Sequence, residues 1–254
     1  MKKRILKGLG LGLVIVFLFG FEVIRAEGDL EKYICRNINT SIKIDGHLND
    51  CAWNKAGKVY LNVINCPASR QTTWFKLLWD KKYLYVGFHC KDTDIWSSQK
   101  RRDADLYIEE VVEIFLDPDS DGKTYIELEV NPRNAVLDFF VIRGTFQRWS
   151  LPLREWNALG IRTMVKISGT LNERRDKDNY WEIEIAIPLT NFATAPNTPP
   201  KNGDCWRMNL FRIDRNFGCD PEFSAWTKLE KVRFHQPDKF GKLIFSDTQA
   251  ELNR

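Results

Sequence analysis

The chain has 254 residues, an aromatic content of 13% and a formal net charge of +4. Residues 1–26 hold five basic residues and one acidic residue, which accounts for the whole excess, so the rest of the chain is neutral. A nucleic-acid-binding domain keeps a basic surplus on its folded surface, and this composition argues against that class. A neutral partner is expected instead.

The N-terminus has the parts of a secretory signal. A basic start that includes Lys2 and Arg4 precedes an uncharged apolar stretch over residues 8–21, and the small Ala26 precedes the expected cleavage point. The apolar stretch is shorter than the roughly 20 residues that span a bilayer, so a membrane anchor is the weaker interpretation. We expect residues 1–26 to be removed. Residues 27–254 then form a single domain without a membrane span, secreted, periplasmic or at the cell surface.

Short strand patterns separated by turn residues dominate the mature chain. Such patterns are found, in chain order, at Trp74–Trp79, Tyr83–Cys90, Val111–Asp117, Thr124–Asn131, Ala135–Ile142, Ile161–Ile167, Tyr180–Pro188, Trp206–Arg212 and Lys242–Phe245. Only Asn49–Ala56 and Asp105–Glu110 suggest short helices. Many short strands joined by Gly, Pro and Asp turns predict an all-β fold, a two-sheet antiparallel β-sandwich of jelly-roll type.

The mature chain contains six cysteines, and an exported chain meets oxidising conditions. They are Cys35, Cys51, Cys66, Cys90, Cys205 and Cys219. An even count permits up to three disulfides, and the C-x-x-C spacing of a zinc or redox site does not occur. Structural bridges or buried thiols are therefore expected.

Acidic residues are concentrated around two predicted strands. A glycosidase needs two carboxylates facing one bond, and strand geometry can place Glu113 beside Glu127 or Glu129. Acids that alternate along a half-exposed strand otherwise form its solvent face. A glycoside-processing enzyme is thus kept as the second hypothesis.

One acidic turn has part of a calcium-binding pattern. Asp117, Asp119, Asp121 and Gly122 match the opening of a D-x-D-x-D-G loop. The twelfth position is Leu128 instead of Glu, and the flanking segments are predicted strands instead of helices. Calcium is the candidate metal at this turn, a plain Asp/Gly turn is the alternative, and no cofactor is otherwise required.

Aromatic side chains in predicted loops are the most informative class, because sugar rings pack their C–H faces on aromatic rings. Loops are also where binding residues gather. The loop aromatics are Tyr107, Trp149, Trp156, Trp226 and Phe234. Five further tryptophans lie in apolar patterns and are expected in the core: Trp53, Trp74, Trp79, Trp181 and Trp206.

An ordered set of short motifs covers residues 40–245. They are Ile44-Asp45-Gly46 with Trp53, Leu78-Trp79-Asp80, Val112-Glu113-Ile114-Phe115, Glu129-Val130-Asn131-Pro132, Asp138, Glu184-Ile185-Ala186-Ile187-Pro188, Asn209 with Arg212, Trp226, and Phe234-His235-Gln236-Pro237 before Phe240-Gly241. With these motifs the chain resembles the family 9 carbohydrate-binding modules, a part of the DOMON-like sandwich domains.

The resemblance implies a non-catalytic, exported protein that binds a neutral saccharide between two aromatic side chains. The two clamp positions fall on Tyr107 and Phe234, where the family usually has Trp. The polar contacts include Glu113 and a basic residue two positions before the motif asparagine, and here that position is occupied by Glu129. The expected ligand-binding set is Tyr107, Phe234, Glu113, Glu129, Asn131 and Trp226.

The wider DOMON-like group gives a third hypothesis, because some of its members bind haem for electron transfer. Such a site needs an axial Met with a His or Lys on the pocket wall. The mature chain offers only Met164 and Met208, with three dispersed histidines. This hypothesis therefore ranks last.

Overall fold

The computed structural model describes residues 30–65, 71–143 and 150–247. The expected signal segment, Cys66 and Trp149 lie outside these residues. The described strands are β1 (Lys32–Asn37), β2 (Val59–Tyr60), β3 (Asn62–Val63), β4 (Thr73–Trp79), β5 (Tyr83–Lys91), β6 (Val111–Asp117), β7 (Thr124–Val130), β8 (Val136–Arg143), β9 (Ser150–Leu153), β10 (Arg162–Ser168), β11 (Tyr180–Pro188), β12 (Cys205–Asp214), β13 (Glu222–Ala225) and β14 (Gly241–Ser246). Within the described ranges, no helix is both long and apolar enough to cross a membrane.

Hydrogen bonds connect the strands in the order β10-β11-β5-β4-β1-β14-β12-β6-β7-β8-β9. In addition β2 pairs with β4, and β13 pairs with both β12 and β3. The described pairs are antiparallel, except that β1 runs parallel to β14 and to β4. The parallel strand β1 was not expected from the sequence. It joins the half that contains β4, β5 and β11 to the half that contains β6, β7 and β12.

The main core lies between these two halves. Phe75 of β4, Phe88 of β5 and Ile185 of β11 share one buried cluster with Ile114 of β6 and Leu128 of β7. Side chains alternate between the faces of a strand, so every second residue of these strands points into this layer. Two sheet faces packed in this way form the β-sandwich that the alternating pattern predicted.

The opposite face of β6, β7, β8 and β12 carries a second apolar cluster. It includes Phe115, Tyr125, Phe139 and Phe211, and chain segments around Leu106 and Leu229 pack against it. These segments cover only part of the face. The uncovered part holds the candidate site.

The nine predicted strands are all present, and their ends differ from the expected ones by at most two residues. The two helical candidates are 3₁₀ turns, Cys51–Lys55 and Leu106–Ile108. Strands β1, β2, β3, β9 and β13 were not expected from the sequence.

Disulfide bridges do not join any of the five described cysteines to one another. Cys35 and Cys90 are buried thiols, whereas Cys51, Cys205 and Cys219 are exposed. The buried-thiol interpretation therefore holds for two positions.

Four of the five tryptophans expected in the core are buried, and one is not. Trp53, Trp79, Trp181 and Trp206 are buried, as expected. Trp74 is half-buried on the outer face of β4, where its ring stacks on His89 with centroids 4.9 Å apart. Its placement in the core was wrong, because alternation along β4 turns Phe75, and not Trp74, inward.

Candidate saccharide site

Three glutamates project from the centre of the partly covered sheet face. Glu113 of β6 is directly opposite Glu129 of β7, and Phe115 is directly opposite Glu127. On the other side of β7, Glu127 is opposite Phe139 of β8. Because the side-chain period of a strand is two, Glu127 and Glu129 lie on the same face as Glu113. Glu113, Glu127 and Glu129 are therefore neighbours, as expected, but they lie on a buried face of the sheet instead of a solvent-exposed one.

An open cavity of about 480 Å³ lies over this face. Four of the expected site residues line it: Tyr107, Phe234, Glu113 and Glu129. The volume is within the range of roughly 300–1,000 Å³ that is usual for small-molecule sites. The cavity combines aromatic walls with carboxyl groups, as a sugar site requires.

The two aromatic walls are held by different local structures. Tyr107 lies in the 3₁₀ turn Leu106–Ile108, where the fully buried Leu106 anchors the turn and Tyr107 stays 40% exposed. Phe234 stacks on Phe211 of β12, with ring centroids 4.1 Å apart and an interplanar angle of 12°. The Phe234 ring is thus fixed by packing before any ligand enters, whereas Tyr107 is positioned through the anchor of its turn.

Burial changes the protonation of the glutamate cluster. It raises the pKa of Glu113 and Glu129 well above the usual range, and the neighbouring carboxylates raise both further. It raises the pKa of Glu127 to about 8. The cluster therefore holds protons near neutral pH. A protonated carboxyl group donates one hydrogen bond and accepts others, which suits the hydroxyl groups of a sugar.

Basic side chains at the rim have other partners. The Arg154 guanidinium is paired with the Asp105 carboxylate and lies over the Phe139 ring, 5.2 Å from its centroid. His235 Nδ1 is 2.7 Å from the Tyr125 hydroxyl and 3.8 Å from Glu127 Oε2. Neither residue was expected at the site from the sequence. Arg154 reaches the cavity only through tertiary packing, so sequence spacing gave no signal for it, whereas the position of His235 next to Phe234 was a signal that the sequence analysis did not use.

Asn131 does not line the cavity. Its Nδ2 donates to Ser97 Oγ and to the carbonyl oxygen of Gln99, at 2.8 and 2.9 Å. Its Oδ1 accepts hydrogen bonds from the backbone N–H groups of Arg133 and Ala135. These four bonds use the amide fully to hold the turn after β7, so the structure does not support a direct ligand contact.

Trp226 does not line the cavity either. It is 3% exposed and meets Phe75 edge-on in the main core, with ring centroids 5.9 Å apart. Trp226 comes directly after β13 and turns inward at the end of that strand. Trp226 therefore lies beside a strand end, as expected, but its expected ligand contact is not supported by this position.

The aspartates of the β6–β7 turn lie close together. One carboxylate oxygen from each of Asp117, Asp119 and Asp121 lies within 4.8 Å of the other two. Asp117 Oδ2 accepts a hydrogen bond from the Gly122 N–H, and Asp121 Oδ1 accepts one from the Lys123 N–H. These bonds are typical of an Asp/Gly turn, so both interpretations of the turn agree with the geometry.

A second group of buried acids is balanced by a cation. Asp92, Glu110 and Asp214 have carboxylate oxygens within 4.8 Å of one another. Arg212 Nη2 donates to Asp92 Oδ2 at 2.7 Å and to Asp214 Oδ1 at 2.9 Å. Arg212, one of the motif residues, is therefore an internal counter-ion.

Residues 44–139 match the model of the carbohydrate family 9 binding domain-like family. The chain is similar to an extracellular protein of Arthroderma benhamiae, with 28% identity over 211 residues, which cover 77% of this chain and 87% of that protein. It is also similar to exoglucanase XynX of Acetivibrio thermocellus, with 32% identity over 84 residues, which are 33% of this chain and only 7% of that enzyme.

Two solved structures have the same fold. A family 9 carbohydrate-binding module of Caldicellulosiruptor kristjanssonii in complex with cellotriose superposes with a TM-score of 0.61 and 19% identity, over 88% of this chain and 98% of that module. A family 9 module of the same organism in complex with glucose gives a TM-score of 0.61 and 20% identity, over 88% of this chain and 100% of that module. These superpositions confirm the fold, and the family model confirms the resemblance to the family 9 carbohydrate-binding modules over residues 44–139.

The region that matches the family 9 model contains one aromatic wall and the acidic floor of the cavity. Tyr107, Glu113 and Glu129 fall within residues 44–139, whereas Phe234 lies beyond them. The family 9 motif residues that do not reach the cavity, such as Arg212 and Asn131, make internal hydrogen bonds. The motifs thus mark both the sandwich and its candidate site.

Proposed function

We propose that this protein is an exported, non-catalytic carbohydrate-binding protein, and that a saccharide occupies the cavity between Tyr107 and Phe234. The observation that carries the proposal is one open cavity of about 480 Å³ lined by both aromatic rings and by the carboxyl groups of Glu113 and Glu129. Sugar C–H faces pack on the rings, and the carboxyl groups exchange hydrogen bonds with the hydroxyl groups. The similar family 9 modules solved with cellotriose and glucose support this assignment.

The alternatives receive less support. A glycosidase needs one ionised and one protonated carboxyl group at the same pH. Here burial raises the pKa of Glu113, Glu127 and Glu129 together, so none of them is set apart as the ionised partner. A haem site is also disfavoured, because Met208 is packed in the main core and Met164 is exposed on β10.

Calorimetric titration of the mature chain with mono- and oligosaccharides tests the proposal. We expect Tyr107→Ala and Phe234→Ala each to weaken binding about tenfold, because each removes an aromatic surface from the ring. Tyr60→Ala is the matched control, since Tyr60 is 53% exposed on β2, away from the cavity. Absence of binding across a glycan array, or unchanged affinity of Tyr107→Ala, would contradict the assignment.

We further propose that residues 27–254 form a single domain that follows a cleaved signal. The basic, apolar and small residues of the N-terminus support export, as does the similarity to an extracellular protein. N-terminal sequencing of the protein recovered outside the expressing cell is expected to begin at Glu27. Recovery of a chain that still begins at Met1 contradicts the cleavage.

Calcium at the β6–β7 turn is a subsidiary part of the proposal. Asp117, Asp119 and Asp121 supply oxygen ligands of the type that calcium prefers. Titration with CaCl₂ is expected to give binding that Asp119→Asn with Asp121→Asn abolishes. Equal calcium binding by this double variant contradicts the site and favours the plain turn.

A further inference from the structure

The glutamate cluster brings three acidic side chains unusually close together. One oxygen from each of Glu113, Glu127 and Glu129 lies within 4.8 Å of the other two, and the three side chains are at most 4% exposed. Glu113 and Glu129 are directly opposite each other, and two ionised carboxylates in such a pair would destabilise the sheet. The three groups therefore hold protons, as their raised pKa values indicate, unless a cation compensates for their ionised forms.

The described residues supply this compensation only weakly, because His235 Nδ1 lies 3.8 Å from Glu127 Oε2 and burial lowers the pKa of His235. Neither oxygen of Glu129 accepts a hydrogen bond from a donor outside the cluster, and neither does Oε2 of Glu127. Arg154 is paired with Asp105 at the rim. In the second buried group Arg212 bonds to Asp92 and Asp214, although both oxygens of Glu110 also lack a donor.

The cluster also borders the cavity. All three glutamates line the cavity, together with the rings of Tyr107 and Phe234. The unpartnered oxygens of Glu129 are therefore buried by protein yet face the space that a ligand would fill. The family resemblance puts a basic residue at the position of Glu129. This chain thus carries an acid where a cation is usual, which changes the charge of the cavity floor.

We propose that the preferred ligand is a saccharide with a free amino group, a hexosamine unit whose ammonium is bound by Glu113, Glu127 and Glu129. An ammonium group has three N–H donors, and the cluster offers three carboxyl groups around one point. A cation is also favoured beside aromatic rings, and the sugar ring keeps its packing on Tyr107 and Phe234. This refinement of the neutral saccharide rests on the proposed function.

A divalent metal fits the same cluster less well. Calcium takes six to eight oxygen ligands, with backbone carbonyl groups among them. Here β6 is paired with β12 and β7, and β7 is paired with β6 and β8, so the backbone carbonyl groups nearby are used in the sheet. Only side chains and solvent remain as ligands. An ammonium group, with three donors, is satisfied by the three carboxyl groups alone.

The test compares ligands that differ only in the amino group. The mature chain is titrated calorimetrically with β-1,4-linked trimers of glucosamine, N-acetylglucosamine and glucose, and separately with CaCl₂. We expect the glucosamine trimer to bind at least about tenfold more tightly than the other two trimers. Glu129→Gln and Glu127→Gln are expected to reduce this ratio towards one, because each isosteric change removes one carboxyl group that can ionise beside the bound ammonium.

The control variant is Glu182→Gln. Glu182 lies on β11, outside the cavity, and its carboxylate contacts His89 of β5. This variant is expected to keep the preference, and circular dichroism checks that all variants fold. Equal affinity for the three trimers overturns the amino-sugar proposal and leaves the carbohydrate-binding function standing. Absence of binding to every trimer overturns both. Calcium binding that Glu129→Gln abolishes, without a preference for glucosamine, assigns the cluster to a divalent cation and also overturns the proposal.

Discussion

Glu184 is a single side chain that joins distant parts of the chain. Its Oε2 accepts hydrogen bonds from the backbone N–H groups of Asp45 and Gly46, and its Oε1 accepts one from the Trp53 indole. The side chain is completely buried. At Gly46, φ is +87° and a Cβ would lie 2.9 Å from the backbone nitrogen of Lys166, so only glycine fits there. These motif residues therefore act in folding instead of in binding.

Glu184→Ala is expected to lower the free energy of unfolding by about 3 kcal/mol, because three buried donors lose their acceptor. Glu184→Gln keeps one acceptor oxygen, and its loss is expected to be smaller, about 1–2 kcal/mol. Denaturant unfolding followed by circular dichroism measures both. Glu182→Ala, two residues earlier on β11, serves as the reference, with an expected loss below about 1 kcal/mol. Equal losses of unfolding free energy for Glu184→Ala and Glu182→Ala would contradict the structural role of the Glu184 hydrogen bonds.

The strands whose apolar and polar residues alternate over several positions could be predicted from the sequence. Strands without such a pattern could not. In β11, Ile183, Ile185 and Ile187 alternate with more polar neighbours, and the predicted and observed bounds agree. Strands β2 and β3 have two residues each, which is too short to display a period. The parallel pairing of β1 depends on β14, about 210 residues further along the chain, and no local pattern contains that information.

The site was predictable only where a motif fixes the spacing to a strand. Glu113 and Glu129 lie on neighbouring strands, and Tyr107 is tied to β6 by a short 3₁₀ turn, so the structure brings these three predicted residues to one cavity. The expected ligand contact of Trp226 is not supported, because composition alone does not say that the chain turns inward after β13. Arg154 reaches the cavity from β9 and its following turn, which the sequence did not predict as an element.

Buried acids affect the stability of the whole molecule. Burial raises the pKa of Glu110, Glu113 and Glu129 well above the usual range, and that of Glu127 to about 8. In the unfolded chain a glutamate titrates at a pKa of about 4.3. The folded protein therefore binds more protons than the unfolded chain at every pH between these two values. The acids with lowered pKa, such as Asp105 and Asp121, are mostly at the surface, where solvent screens them.

The sign of the pH dependence follows from this difference in bound protons. Stability falls with rising pH wherever the folded state holds more protons, so the free energy of unfolding should be highest near pH 5 and decrease towards pH 8. We expect a decrease of at least about 2 kcal/mol over this range, since one pKa unit corresponds to about 1.4 kcal/mol for each group.

Urea unfolding at half-unit steps of pH measures this decrease in the free energy of unfolding. Glu127→Gln with Glu129→Gln should flatten the curve and stabilise the protein at pH 8, whereas Glu31→Gln, at an exposed position before β1, should leave the slope unchanged. Stability that rises from pH 5 to pH 8, or a double variant with the original slope, would show that the cluster does not hold its protons in the folded state.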